Sequence, residues 1–245
     1  MAGNSEAPPV RFEPNYRARL HLLDRLELRC DGAAVFVPDT ALRVLAFLAL
    51  RDRYQHRSVI AGTLWTDTTE KRAAASLRTA LWRIRRVGSE LVAADGFYLR
   101  IGDSVKVDLT EVTDAARLLV ADPQSDAEPA VTAETLSKEL LPDWHDDWVI
   151  LERERLRQVR LHGLEALCRR LSALGRHALA IEAGMLAVAI EPLRETTQRV
   201  LISAHLGHGN VSEARRQYNV FRHLLQENLG IEPGDELRAL VAACR

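Results

Sequence analysis

Between Lys71 and Val87 the apolar positions fall at Leu77, Ala80, Leu81, Ile84 and Val87, three or four residues apart, the period of an α-helix. At about 100° per residue they gather on one side of the wheel, and Arg78, Thr79, Trp82, Arg83 and Arg86 occupy the other. Upstream, Leu20 to Val37 alternates and is broken at Asp31-Gly32, a hairpin turn pair, which predicts strands at about 20–29 and 34–37. Pro38-Asp39-Thr40 then opens a helix of about 40–51, with Leu42, Leu45, Ala46 and Ala49 at helical spacing. Ser58 stands as the N-cap of a short helix of about 59–65, and Thr66 to Thr69 is a polar break before the basic helix. After that helix, Leu91 to Ala94, the pair Asp95-Gly96 and Phe97 to Ile101 predict a second hairpin, with Val105 to Val107 as a further strand beside it.

From Asp108 onward every strong period is helical. Helices are predicted over Leu109 to Val120, Trp148 to Leu174, Arg176 to Ile190, Glu195 to Gly207 and Val211 to Asn228. A polar, Pro-bearing loop spans Asp122 to Glu134, and Gly175, Pro192, Gly209 and Gly230 punctuate the later helices. Leu167, Gly175 and Ala180 recur 34 residues later as Leu201, Gly209 and Ala214, which is the tetratricopeptide period. The predicted fold is therefore mainly α with small β. A winged helix-turn-helix (18–107) precedes an all-α, tetratricopeptide-like domain (108–245) and follows a disordered tail (1–17).

Charge sharpens that division. The chain is near neutral overall, at −1, but residues 1–108 carry a net +4 and the remainder −5. A basic module joined to an acidic one fits two different partners. Cys30, Cys168 and Cys244 are too few and too scattered for a disulfide framework or a zinc site, which fits a reducing cytoplasm. No apolar run approaches a membrane span. No phosphate-binding G-x-x-x-x-G-K-[ST] or G-x-S-x-G nucleophile elbow occurs, so neither catalysis nor a cofactor is expected. His205 and His208 lie three apart on a helix but lack further ligands and read as surface residues. Trp144 and Trp148 read as packing residues.

Lys71 to Arg86 carries six cations and no acid. A short positioning helix before such a helix is helix-turn-helix logic, and a hairpin straight after it is a wing. On this reading Arg78, Thr79, Trp82, Arg83 and Arg86 face a DNA major groove, where Arg suits guanine edges and phosphates. Lys71 and Arg72 at the helix start meet the backbone. Ser58, at a helix N-terminus, is placed to bind a phosphate. Tyr98 and Arg100 on the wing reach the backbone or minor groove, with packing of Tyr98 on the sheet as the other reading. Arg85 points nearer the buried edge, towards an acid. Leu45, Ile60, Leu64, Leu77, Leu81 and Ile84 are assigned to the core. The plain alternative for the basic face is a solvated side of an ordinary amphipathic helix.

Leu77 to Arg86, the wing at Asp95 to Leu99, Leu140 to Arg155 and Ile190 to Glu195 together resemble the Streptomyces antibiotic regulatory protein family, from about residue 18 to the end. The stretch Leu140-Leu141-Pro142-Asp143-Trp144-His145-Asp146-Asp147-Trp148 and onward to Arg155 is the most specific match, typical of the bacterial transcriptional activator domain. The resemblance implies an activator that binds promoter direct repeats as a homodimer. It further implies recruitment of RNA polymerase, including its sigma factor, to secondary-metabolite genes, and work in the cytoplasm at the nucleoid. It also implies a winged helix of the response-regulator type whose Thr66 to Thr69 loop faces the polymerase, with Asp67 and Glu70 as contacts; a plain solvent loop is the other reading. Neither a receiver domain nor a nucleotide-binding ATPase is recognisable in the sequence. The rival reading is a tetratricopeptide-type interaction adaptor with only non-specific DNA affinity.

Overall fold

The computed structural model describes residues 18–51, 53–123 and 125–243; the expected tail at 1–17 and Cys244 lie outside them. Two compact units result. The first takes the described part of Met1–His21 with Leu26–Val107, and the second takes Leu22–Arg25 with the described part of Asp108–Arg245. The whole is mainly helical, with its small sheets near the N-terminus.

In the first unit, β1 (Ala18–His21) pairs antiparallel with β2 (Glu27–Cys30), and β2 with β3 (Ala33–Ala34). The turn between β2 and β3 is the expected Asp31-Gly32, with Gly32 at φ 81°, a conformation glycine adopts without strain. The expected strand at about 20–29 is instead split between β1 and β2. Leu22 and Leu23 are adjacent, both apolar and both buried, so they cannot continue an alternating strand, and they fold with the second unit.

α1 (Asp39–Arg51) is buried along nearly every face from Val44 to Ala49 and forms the centre of this unit's core. It is followed by β4 (Gln55–His56), α2 (Arg57–Leu64), α3 (Glu70–Val87), a 3₁₀ turn at Ser89–Leu91, β5 (Val92–Asp95) and β6 (Tyr98–Ile101). β6 lies between β4 and β5 in a second sheet. The predicted hairpin is present, Asp95 pairing with Tyr98 across a turn in which Gly96 has φ 55°.

β7 (Val105–Val107) does not join that hairpin as expected. It pairs in parallel with β1, Ala18 opposite Val105. Gly102 precedes it, its amide donating to Leu91 O at 2.9 Å. A Cβ there would sit 1.8 Å from the Glu90 carbonyl oxygen, so this close approach requires glycine. Val105 and Val107 then turn inward beside Ala18 and Leu20.

The second unit comprises α4 (Asp108–Ala121), α5 (Ala133–Ser137), α6 (Asp147–Ala173), α7 (His177–Ile190), α8 (Glu195–Gly207), α9 (Val211–Leu229) and α10 (Asp235–Ala242). The Leu22–Arg25 segment is built into it. Leu22 and Leu23 donate their amides to the Asp108 carboxylate at 2.9 and 3.2 Å, and Asp24 N donates to Glu139 O at 2.7 Å. Arg153 of α6 donates to the carbonyls of Leu140, Leu141 and Trp144, so the Leu140–Trp144 turn, whose own ladder is incomplete, is satisfied by one guanidinium. Trp144 and Trp148 meet edge to face at 6.0 Å, as packing residues do.

The 34-residue spacing has a structural counterpart. Gly175 and Gly209, at φ 71° and 81°, close the turns after α6 and α8, and Ala180 and Ala214 are fully buried on the helices that follow. α10 was not anticipated. It packs through Leu237 onto Ile202, Phe221 and Leu225, and Gly234 N before it donates to Glu195 at 2.8 Å.

Candidate nucleic-acid interface

α3 is held from one side. Ala73, Leu77, Ala80, Leu81 and Ile84 are buried, together with Leu45 of α1 and Ile60 and Leu64 of α2. These are the residues the helical period assigned to the core. Thr69 caps the helix, its Oγ1 accepting from Arg72 N at 3.4 Å, and the acid Glu70 sits in the first turn where it complements the dipole.

The opposite side is exposed and cationic. Lys71, Arg72, Arg78, Thr79, Trp82, Arg85 and Arg86 are all exposed. Trp82 shows 58% of its surface, and the Arg86 guanidinium lies over its ring at 5.0 Å from the centroid. Two of the expected contacts are already engaged. Arg83 is half-buried and donates to Thr40 Oγ1 at 3.3 Å, and the Thr79 hydroxyl donates back to Ala75 O at 3.1 Å. Arg85 differs from its expectation: it is exposed, and no acid pairs with it among the described residues.

α2 begins two residues earlier than expected, at Arg57. Its cap is His56, whose Nδ1 accepts from Ser58 N at 3.3 Å and lies 2.7 Å from Ser58 Oγ. The imidazole also stands edge-on to Tyr98 at 5.2 Å. Because β4 pairs with β6 (His56 opposite Tyr98) and Arg57 N donates to Phe97 O at 2.9 Å, the α2 N-terminus and the hairpin tip form one assembly. Ser58, Tyr98 and the 71%-exposed Phe97 are thereby brought to one place. Sequence reasoning missed His56 and β4, since a two-residue strand carries no period to detect.

Arg100 sits on β6 of the hairpin but is occupied. Both its terminal nitrogens reach the Asp103 carboxylate at 2.6 Å, and its guanidinium lies 5.3 Å from the Tyr54 ring centroid. The hydrogen bonds from Arg100 hold the Asp103 carboxyl below the usual carboxylate range. Between α2 and α3 a concavity of about 540 Å³ is lined by Ser58, Trp65, Glu70 and Lys71 among others. Asp67 and Glu70 are exposed on the connecting loop and the helix start. Among the described residues no helix is long and apolar enough to cross a membrane, and no cluster of His, Cys, Asp or Glu is arranged to hold a metal.

Residues 109–245 match the family described as the bacterial transcriptional activator domain. The chain is 29% identical to the regulatory protein AfsR of Streptomyces griseus over 80% of its own length, and 28% identical to AfsR of Streptomyces coelicolor over 95%. It spans only 21% and 24% of those two relatives. Its fold is similar to that of Mycobacterium tuberculosis EmbR, solved in complex with a low-affinity phosphopeptide, with a TM-score of 0.77 and 24% identity over 93% of this chain and 65% of that one. The matched family covers more than half of the chain and contains its most specific sequence block, Leu140 to Arg155. The chain belongs to the bacterial transcriptional activator domain family, among the Streptomyces antibiotic regulatory proteins.

Proposed function

We propose that the chain is a sequence-specific, DNA-binding transcriptional activator whose first unit works as a winged helix. The observation that carries this reading is the two-sidedness of α3. Its apolar stripe is locked in the core, while Arg78, Trp82 and Arg86 stand outward with no carboxylate on the helix between Lys71 and Arg86. Such a helix can enter a major groove, with guanidinium groups reaching guanine O6 and N7 or the phosphates.

Within that arrangement the residues divide by what else they touch. Arg78 and Arg86 are the base and phosphate contacts, Arg86 steadied by Trp82. Lys71 and Arg72 meet the backbone at the start of α3. Ser58, held by His56, offers a phosphate its hydroxyl, and Tyr98 approaches from the wing. Arg83, tied to Thr40, and Arg100, tied to Asp103, set the orientation of α3 and of the wing. Thr79 contributes its oxygen as an acceptor.

The chain then binds promoter direct repeats as a side-by-side homodimer and recruits RNA polymerase, with Asp67 and Glu70 facing the sigma factor. The genes so activated belong to secondary metabolism, and the protein works by binding rather than catalysis, in the cytoplasm at the nucleoid. A mobility-shift titration against DNA from the chain's own upstream region tests this. Preference for that DNA over a scrambled duplex supports it, and weak, sequence-blind affinity favours an interaction adaptor instead.

A further inference from the structure

α7 is apolar almost all round. Glu182 is its one Asp, Glu, Lys or Arg residue. A helix of that composition is ordinarily covered on every side. Here only one side is covered, by way of Ala180, Ala183, Gly184 and Ala187. Leu179 and Met185 stay 51% and 59% exposed, in a stripe completed by Glu182 and Ala189. From Leu179 to Ala189 that stripe runs about 15 Å along the helix.

At the Leu179 end the stripe opens into a groove of about 310 Å³, floored by Leu167 and Leu171 of α6 and walled by Val131 and Ala133. The wall is a built feature. Arg170 is only 5% exposed and donates to the carbonyls of Asp122 and Ala127, which holds the loop down. Arg176 pairs with Glu128 at 2.9 Å farther along the same loop. The rim is acidic: Glu128, Glu134 and Glu182 line it, and no described Lys, Arg or His does. Glu128 is neutralised by Arg176, but Glu134 and Glu182 have no ion-pair partner among the described residues.

We propose that this groove and the α7 stripe together seat an amphipathic helix of a partner protein, its apolar side chains on Leu167, Leu171 and Leu179 and its flanking Arg or Lys on Glu134 and Glu182. The length of the stripe argues for a helix of about three turns rather than a small molecule, since helix-in-groove binding spaces its anchors over i, i+3, i+4 and i+7. The unpaired carboxylates select a basic partner, because complementary charge fixes which helix can approach. The site lies wholly within the helical unit, so it stands or falls apart from DNA recognition.

The probe is a fluorescent 16-residue peptide of Leu and Arg with Leu at i, i+3, i+4 and i+7. It is compared with its Leu/Glu counterpart and with a scrambled Leu/Arg sequence, all titrated into the full chain. The two methionines are Met1 and Met185, so ¹³C-methyl labelling gives Met185 its own NMR reporter. The expected result is binding of the basic amphipathic peptide alone, a shift of the Met185 methyl signal, and at least tenfold weaker binding for Leu179→Arg and for Glu182→Lys. Both positions are exposed, and circular dichroism checks that each variant is folded. Equal binding of the scrambled or acidic peptide, or binding that leaves Met185 unmoved, overturns the proposal. So does self-association in sedimentation that Leu179→Arg abolishes, because the occupant is then a second copy of this chain.

Discussion

The guanidinium of Arg86 lies 5.0 Å from the ring centroid of Trp82, one helical turn before it on the exposed side of α3. The indole restricts where Arg86 can reach, and on the proposed reading the two side chains act on DNA as a unit. Trp82→Ala and Arg86→Ala are each expected to weaken operator binding. The double variant should lose less than the sum, with a coupling of about 0.5–1 kcal/mol, the size of an exposed cation–π contact. A double-mutant cycle by fluorescence anisotropy measures it. Strict additivity would show that Trp82 contacts DNA without steadying Arg86.

Arg78 and Arg100 should separate. Arg78 has no side-chain partner among the described residues, whereas Arg100 is held by Asp103 and Tyr54. Arg78→Ala is expected to cost about 1–3 kcal/mol of operator affinity and, if it reads a base, to relax preference at one base pair. Arg100→Ala should cost less affinity and little stability, since its ion pair is with an exposed carboxylate. Competition titrations with single-base operator variants distinguish the two. A larger loss for Arg100→Ala would make the wing, not α3, the principal contact.

The α2–α3 connection makes a different prediction. Asp67 and Glu70 are exposed beside the concavity that also holds Ser58 and Lys71. Asp67→Lys should abolish activated transcription in a reconstituted assay while leaving operator affinity equal or slightly higher. Undiminished transcription would remove Asp67 from the polymerase contact.

In the helical unit Glu165 is a buried acid, 4% exposed. Burial alone would raise its pKa. The hydrogen bonds from Thr197 (2.8 Å), Thr196 (2.9 Å) and Arg194 (3.0 Å), with the charge of Arg194, outweigh that and hold the carboxyl below the ordinary glutamate range. The folded pKa is thus the lower one, so the stabilisation is complete above the unfolded value and is lost as pH falls through the folded value. Glu165→Ala should cost about 1–3 kcal/mol at neutral pH, since the buried Thr197 hydroxyl and the Arg194 guanidinium lose their carboxylate partner. Thermal melts from pH 7 downward should show the gap between native chain and variant narrowing in acid. A gap independent of pH would mean the carboxylate's charge contributes nothing.

What the sequence disclosed, and what it hid, follow from physical range. α3, the core triad Leu77, Leu81 and Ile84, and the Asp95-Gly96 hairpin were legible because each rests on local period or turn chemistry. β7 pairing with β1, the Leu22–Arg25 segment folding with the helices, and His56 capping α2 were not. Each depends on partners distant in sequence or on a strand too short to alternate. The engagement of Arg83 with Thr40 and of Arg100 with Asp103 is likewise invisible in a list of cations. Only the structure shows which arginines already have a side-chain partner.

The most direct test of the activator reading is the affinity of the full chain for its own upstream DNA as a function of salt. The logarithm of the association constant should fall linearly with that of salt concentration, and Arg86→Ala should flatten the slope by about one unit if Arg86 holds a phosphate. The same titration on a scrambled duplex should give much weaker binding at every salt. An affinity indifferent to salt, or equal for both duplexes, would contradict the placement of α3 against base pairs.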